Sequence, residues 1–277
     1  MYSLLGIFDV NMLLIYGEGK ERALKRLEEE IEKASKGTSF FSRISRHLVY
    51  EKLLMKIGFK REDFSVAFSL SNTSDVEQFV GRKTELVEMH KALNGDGSRR
   101  TVVLHGLGGI GKTQLSIAYA KQHKDSYSAI FWLNINDKDS LKQSFAKIAR
   151  QILREHPSAS RLNSIDINQD LDEVVDAVKS WLSLPNNTRW LMIYDNYDNP
   201  KLPGITDPAA TNIRDFLPEA YQGSVIVTTR SLQVRIGHLI QIQKLRDIRD
   251  SLKIISDVSR RKELMNGKSL YYFILQL

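Results

Sequence analysis

The sequence predicts an α/β fold, a parallel β-sheet with helices on both faces, and three observations lead to it. Several short runs are almost wholly apolar, among them "AIFWL" (129–133), "WLMIY" (190–194) and "SVIVT" (224–228). Strands of that kind have no solvent face and belong inside a sheet covered on both sides. Between them lie longer stretches whose apolar residues recur at three- and four-residue spacing, the pattern of helices packed on one side. A glycine-rich turn, Gly106 to Gly111, also separates a β-branched run from a helical one.

Taken in order, residues 20–35 carry Ala23, Leu24, Leu27 and Ile31 at helical spacing, which gives a short helical N-terminal segment. Residues 36–75 mix apolar and basic residues without a sustained period and read as a linker. From residue 76 the pattern becomes regular. "TELVEMHKALNG" is a short helix with Gly95 near its end, Thr101–His105 a strand, and Lys112–Gln122 a helix. Ala129–Leu133 is the second strand. Ser140–Arg154 then carries Leu141, Phe145, Ile148, Ala149, Ile152 and Leu153 along one side. Leu171, Val174, Val175, Val178, Trp181 and Leu182 form another helical stripe. Trp190–Tyr194 and Ser224–Thr228 are the third and fourth strands, and "HLIQIQKL" (238–245) supplies the fifth. No internal repeat is visible.

Composition narrows the function classes. At 277 residues, 42% hydrophobic and 26% charged, the chain can hold one full α/β domain and something small beside it. With no cysteine, disulfides, thiolate zinc sites and cysteine nucleophiles are excluded. The apolar opening lacks a basic flank and is broken by Asp9 and Asn11, so it reads as core and not as a signal peptide. No apolar run approaches the length of a membrane span, and a reducing, cytoplasmic setting is expected. The net charge of +7 would suit nucleic acid or acidic lipid. The basic residues are nevertheless interleaved with acids, as in "GKERALKRLEEEIEKASKG", and no specific nucleic-acid signature accompanies them.

The chemistry concentrates in Gly106-Leu107-Gly108-Gly109-Ile110-Gly111-Lys112-Thr113, which fits the phosphate-loop spacing G-x-x-x-x-G-K-[ST]. Glycines let backbone N–H groups converge on an anion, and the following helix aims its positive end at the same point. Lys112 adds a charge that can reach the β- and γ-phosphates, and the Thr113 hydroxyl is placed to ligate Mg²⁺. Asp195, at the end of the third strand, is the expected second Mg²⁺-coordinating residue, acting through water, since open α/β sheets bind ligands at the carboxyl ends of their strands. Many ATPases of this broad class carry an acid directly after it to activate the attacking water. Here that position is Asn196, which can hold a water but cannot take its proton, so slow hydrolysis or retention of nucleotide is expected unless Asp198 or a partner substitutes. Arg230, ending the fourth strand, can reach a γ-phosphate.

Four pieces in this order, "FVGRKTEL" (79–86), "GLGGIGKTQLS" (106–116), "WLMIYDN" (190–196) and "GSVIVTTRS" (223–231), resemble the NB-ARC branch of the STAND nucleotide-binding switches. The resemblance spans about residues 76–258 and implies a three-layer P-loop NTPase sheet of strand order 5-1-4-3-2. It further implies ATP or ADP as the nucleotide. Val80, Gly81 and Arg82 would lie against adenine and ribose or phosphate, Gln114 would join the binding residues of the loop, and Arg230 would act as the sensor. Protein partners are implied for the full-length family. Upstream, "YSLLGIFDVNMLLIYGEGKERALKRLEEEI", within residues 1–35, looks like the tail of the HET (heterokaryon incompatibility) domain of filamentous fungi, too little of it to carry that domain's activity.

The family's following helical subdomain, with a Gly-Leu-Pro-Leu-like turn and a histidine on the ADP β-phosphate, is not recognisable, and residues 259–277 form an aberrant apolar tail. Gly37-Thr38-Ser39 and Gly267-Lys268-Ser269 are both codon-compatible with splice donors, so residues 36–75 and 259–277 are expected to be translated introns. A module without its switching subdomain is therefore expected. The alternatives from the residues are a P-loop enzyme of another class, such as a small-molecule kinase or a nucleic-acid-stimulated ATPase, and a non-functional fragment. "DINQDLDEVVDA" opens like a calcium loop but has Leu171 and Ala177 at its glycine and glutamate positions, and reads better as a helix N-terminus with acids at its positive end. The six histidines show no metal spacing.

Overall fold

The computed structural model describes residues 63–68, 79–95, 98–201, 207–245 and 248–259, together with the isolated positions 22 and 26. The chain divides into two compact units, Met1–Asp63 and Phe64–Leu277, and the fold below belongs to the second. The expectations for 1–35, 36–62, 69–78 and 260–277 lie outside the described residues, apart from Arg22 and Arg26, which are helical.

Five strands, β1 (Arg100–His105), β2 (Ala129–Asn134), β3 (Trp190–Asp195), β4 (Ser224–Thr229) and β5 (His238–Gln241), form one sheet. Its order is β2-β3-β4-β1-β5 with every neighbouring pair parallel, which read from the other edge is the 5-1-4-3-2 order that the resemblance implies. The first four strands match their expected ranges to within one residue at each end. β5 is shorter than expected and closes at Gln241. The chain beyond it stays beside β1, where Ile242 N–H donates to the His105 carbonyl at 2.8 Å.

Both faces are covered because both sets of alternating side chains are apolar. On one face Leu191, Ile193 and Ile226 pack with Met89 of α1 (Lys83–Leu93) and with Leu115 and Tyr119 of α2 (Lys112–Gln122). On the other, Trp190, Met192 and Tyr194 meet Phe145 of α3 (Lys138–Glu155) and Val174 and Val178 of α5 (Leu171–Leu182), with the single turn α4 (Ser160–Asn163) between those helices. Burying a side chain of this size contributes about 1.5–3 kcal/mol, so the two apolar layers dominate the folding energy. The helix α6 (Ile248–Ser259) follows β5 in the chain. Among the described residues no helix is long and apolar enough to cross a membrane.

Two local findings bear on the sequence reading. Asp170 caps α5, its carboxylate accepting from Asp172 N–H at 2.9 Å and Glu173 N–H at 3.1 Å, so "DINQDLDEVVDA" is a helix start as its acids imply. Within the stretch read as a linker, residues 64–68 meet the sheet. Val66 N–H donates to Ser128 O at 2.9 Å at the head of β2, and Phe64 and Val66 are buried in the core. Phe64 meets Trp181 edge to face at 5.6 Å. The physical reason is a period-two pattern, Phe64-Val66-Phe68, too short to stand out from its irregular surroundings.

Candidate functional site

Parallel strands bring all their carboxyl ends to one edge of the sheet. The register sets the residues there in a row: Asn134 of β2 stands opposite Asp195 of β3, and Leu104 and His105 of β1 stand opposite Thr228 and Thr229 of β4. From His105 the chain enters Gly106–Gly111 and turns into α2. Gly106 is required by a close approach, because a Cβ there would lie 2.6 Å from the Ile242 carbonyl oxygen. Gly111 is required by conformation, since it caps α2 at φ +95°. The first turn of α2 offers N–H groups that no preceding helical carbonyl takes up, and they face the mouth of the loop.

Lys112 is buried, and its ammonium donates to the Gly106 and Leu107 carbonyls, both at 2.9 Å. Burial lowers its pKa; the Arg230 charge adds to this, while Asp198 and Asp195 oppose it. His105, behind the loop, is likewise held below its ordinary value, by burial first and then by Lys112. The Thr113 hydroxyl donates to Asp195 Oδ1 at 2.9 Å, and the Thr228 hydroxyl donates to the same oxygen at 2.6 Å. Burial raises the Asp195 pKa against the pull of those two hydrogen bonds and of Lys112.

Asn196 leaves β3 in the left-handed region at φ +69°. Its N–H donates to Thr228 Oγ1 at 3.0 Å and its Nδ2 to Asn134 Oδ1 at 3.3 Å. Asp198 spends both carboxylate oxygens on Arg230: Oδ1 accepts the backbone N–H at 2.6 Å, and Oδ2 pairs with Nε at 3.0 Å. The Arg230 guanidinium lies against the loop, its Cζ 3.5 Å from where a Cβ on Gly108 would stand.

Residues Gly108 to Gln114, Asn196, Asp198, Thr228 and Arg230 line one cavity of about 230 Å³. Gln114 also borders a larger groove of about 660 Å³ between α1 and α2, whose walls include Phe79, Gly81, Leu86 and Ile117. The segment Val80-Gly81-Arg82 divides between roles. Val80 is buried and Gly81 lines the larger groove. Arg82 donates through Nη2 to Ile110 O at 2.8 Å and Gln243 O at 3.0 Å, and its Nη1 pairs with Glu85 at 3.0 Å. Its guanidinium thus ties the phosphate loop to the chain leaving β5. Thr228 and Asn134 were not singled out as site residues from sequence. Their signal is positional: each has a polar side chain beside Asp195 once the register is known.

Residues 82–264 match the family model of the NB-ARC domain. A nucleotide-binding leucine-rich repeat (NLR)-like protein of Hyaloscypha variabilis is 27% identical over 179 residues, which are 61% of this chain and 17% of that protein. The vegetative incompatibility protein HET-E-1 of Podospora anserina is 72% identical over 32 residues, 12% of this chain and 2% of that protein. The chain thus spans a small part of the length of both relatives. Among solved structures, Cdc6p of Pyrobaculum aerophilum aligns with a TM-score of 0.44 and 13% identity over 70% of this chain and 54% of its own. The ORC2 protein of Aeropyrum pernix in ADPNP-ADP complexes aligns with a TM-score of 0.42 and 13% identity over 68% of this chain and 54% of its own. With the family match covering more than half of the chain, and the glycine loop, its lysine and the strand-end aspartate all inside it, the protein belongs to the NB-ARC family of nucleotide-binding domains.

Proposed function

We propose that this domain holds ATP or ADP with Mg²⁺ and turns the triphosphate over slowly, as the nucleotide-binding module of an NLR-type signalling protein acting in the cytoplasm through protein partners. The observation that carries the reading is the hydrogen bond from Thr113 Oγ1 to Asp195 Oδ1 at 2.9 Å beneath the loop that ends in Lys112. A carboxylate and a hydroxyl oxygen are the hard donors that Mg²⁺ takes, and Mg²⁺ commonly uses one or two protein oxygens with the rest from phosphate and water. Thr113 and Asp195 would hold that ion. When bound it would neutralise charge on the phosphates.

The loop amides would bind the phosphates, and Lys112 would trade its two carbonyl partners for phosphate oxygens. The groove between α1 and α2 adjoins the loop through Gln114, has apolar walls and is large enough for a nucleoside, so it would take the base and ribose. In this reading Val80, Gly81 and Arg82 shape the wall and the loop, with Gly81 alone of the three lining the groove. Slow turnover follows from Asn196, which has no proton-accepting group, and from Asp198, whose oxygens are both engaged by Arg230.

Mass spectrometry of nucleotide released from protein purified without added ligand tests the binding claim. Recovery of ADP or ATP is expected, and protein that carries none and shows no thermal shift with added ADP would refute it. A single-turnover assay tests the rate, with hydrolysis slower than about one per second expected of a site without a general base.

A further inference from the structure

The pairing of Asp198 with Arg230 does more than neutralise two charges. Residue 198 leaves the end of β3 and residue 230 the end of β4, so the pair bridges two neighbouring strands on the ligand edge of the sheet. Asp198 Oδ1 accepts the Arg230 backbone N–H at 2.6 Å, while Oδ2 lies 3.0 Å from Nε of the same residue in an ion pair. One carboxylate therefore fixes both the backbone where the arginine begins and the guanidinium where it ends. The Arg230 side chain is otherwise 67% exposed, with little packing to hold a long side chain in one rotamer. Engagement through Nε also leaves both terminal nitrogens of the fork free of Asp198, and Nη1 lies 3.7 Å from where a Cβ on Gly108 would stand, over the glycine loop.

We infer that Asp198 is a positioning residue for discrimination between tri- and diphosphate: it clamps Arg230 side-on so that the two terminal nitrogens face the place of a third phosphate. This rests on the nucleotide reading of the loop and assigns Asp198 a role other than that of a substitute base. An unclamped arginine of this exposure would spend most of its time in solvent and lose ordering entropy on each capture of a phosphate, whereas the clamped one is preorganised.

The experiment separates geometry from charge. The affinities of ADP and of the non-hydrolysable AMP-PNP are measured with Mg²⁺ on the full chain and on the variants Asp198→Glu, Arg230→Ala and the double variant. Asp198→Glu keeps the negative charge, but its added methylene cannot satisfy the backbone N–H and Nε together. The ratio of AMP-PNP to ADP affinity is expected to fall about tenfold in Asp198→Glu, the scale of one charge-assisted hydrogen bond. It should fall at least as far in Arg230→Ala, and no further in the double variant. Melting temperatures without nucleotide close to that of the parent show that the variants are folded. An unchanged ratio in Asp198→Glu, or losses that add in the double variant, overturns the positioning role while leaving nucleotide binding intact. A parent protein that binds neither nucleotide overturns the reading of the loop itself, and this inference with it.

Discussion

Thr113 and Asp195, 82 residues apart in sequence, are joined by a hydrogen bond of 2.9 Å that links the first turn of α2 to the end of β3. The bond exists because β4, lying between β1 and β3, sets the register of both neighbours, and its Thr228 hydroxyl reaches the same carboxylate oxygen at 2.6 Å. Three segments distant in the chain thus converge on one buried oxygen. That oxygen has two donors to offset its desolvation, and burial pushes the pKa of the carboxyl upward against them. A cation would complete the compensation.

Asp195→Ala should therefore remove the Mg²⁺-dependent part of nucleotide binding. Titration of a fluorescent ADP analogue with and without EDTA checks it. Chelation should weaken the parent and leave the variant nearly unchanged. An equal loss on chelation in both proteins would place the ion elsewhere.

Lys112→Ala should weaken ADP binding about 10- to 100-fold, the loss of a hydrogen bond to a charged group at about 1.5–3 kcal/mol. The same titration reads it. Two backbone carbonyls lose their donor as well, so the melting temperature without nucleotide should be compared before the affinity is interpreted.

Two glycines of similar conformation should respond differently to alanine. Gly109 has φ +71° with nothing within 4 Å of a built Cβ, whereas Gly223 has φ +77° and its Cβ would stand 2.3 Å from the Trp190 ring. Both substitutions incur the left-handed strain of about 1 kcal/mol. Gly223→Ala should cost about 1–3 kcal/mol more, from overpacking. Urea denaturation of the two variants without nucleotide measures the difference, and equal midpoints would mean that the Trp190 ring moves aside freely.

The core was legible because its strands are continuously apolar and its helices amphipathic, so the 190–194 and 224–228 runs announce buried strands on their own. The phosphate loop was legible for a different reason: glycine, lysine and hydroxyl at fixed local spacing need no partner from elsewhere. What could not be read are relations across the sheet. Thr228 beside Asp195, Asp198 on Arg230 and Arg82 on the Ile110 carbonyl all depend on register or on a loop's path, which residue identity does not encode locally. The same holds for Val66, whose N–H bonds to Ser128 O ahead of β2, and for Phe64, buried in the same core. α6 was missed because the fifth strand was read through to residue 245, close to the start of the helix at Ile248.

Stability should fall on acidification. Burial holds the pKa of both His105 and His123 below the ordinary 6.5, with Lys112 adding to the effect in the first and His90 in the second. The unfolded chain protonates these histidines as pH drops through 6.5, and the folded chain only at lower pH. In that window the unfolded state binds more protons, so stability rises with pH and is lost as pH falls from above 6.5 through the lower folded values. Melting temperatures from pH 7.5 to about 5 should decline, and His123→Gln should flatten part of the slope. A parent profile without slope would show that neither ring resists protonation.

The sharpest test of slow turnover is Asn196→Asp. Asn196 sits at φ +69°, a conformation that asparagine and aspartate tolerate and most other side chains resist, so the exchange adds little backbone strain. The backbone bond from residue 196 to Thr228 Oγ1 is unaffected by it. The side-chain bond to Asn134 can be kept if that carboxamide turns its nitrogen toward the new carboxylate. What changes is chemical: a group that only accepts or donates hydrogen bonds becomes one that can remove a proton from water. General-base assistance is typically worth ~10²–10⁴-fold, and a carboxylate in a site not shaped for it should recover at least the lower part of that range. Single-turnover hydrolysis of ATP should accelerate by about 100-fold or more, with ADP affinity changed by less than the rate. An unchanged rate with binding intact would mean that residue 196 does not face the attacking water, and the slow turnover would then need another cause.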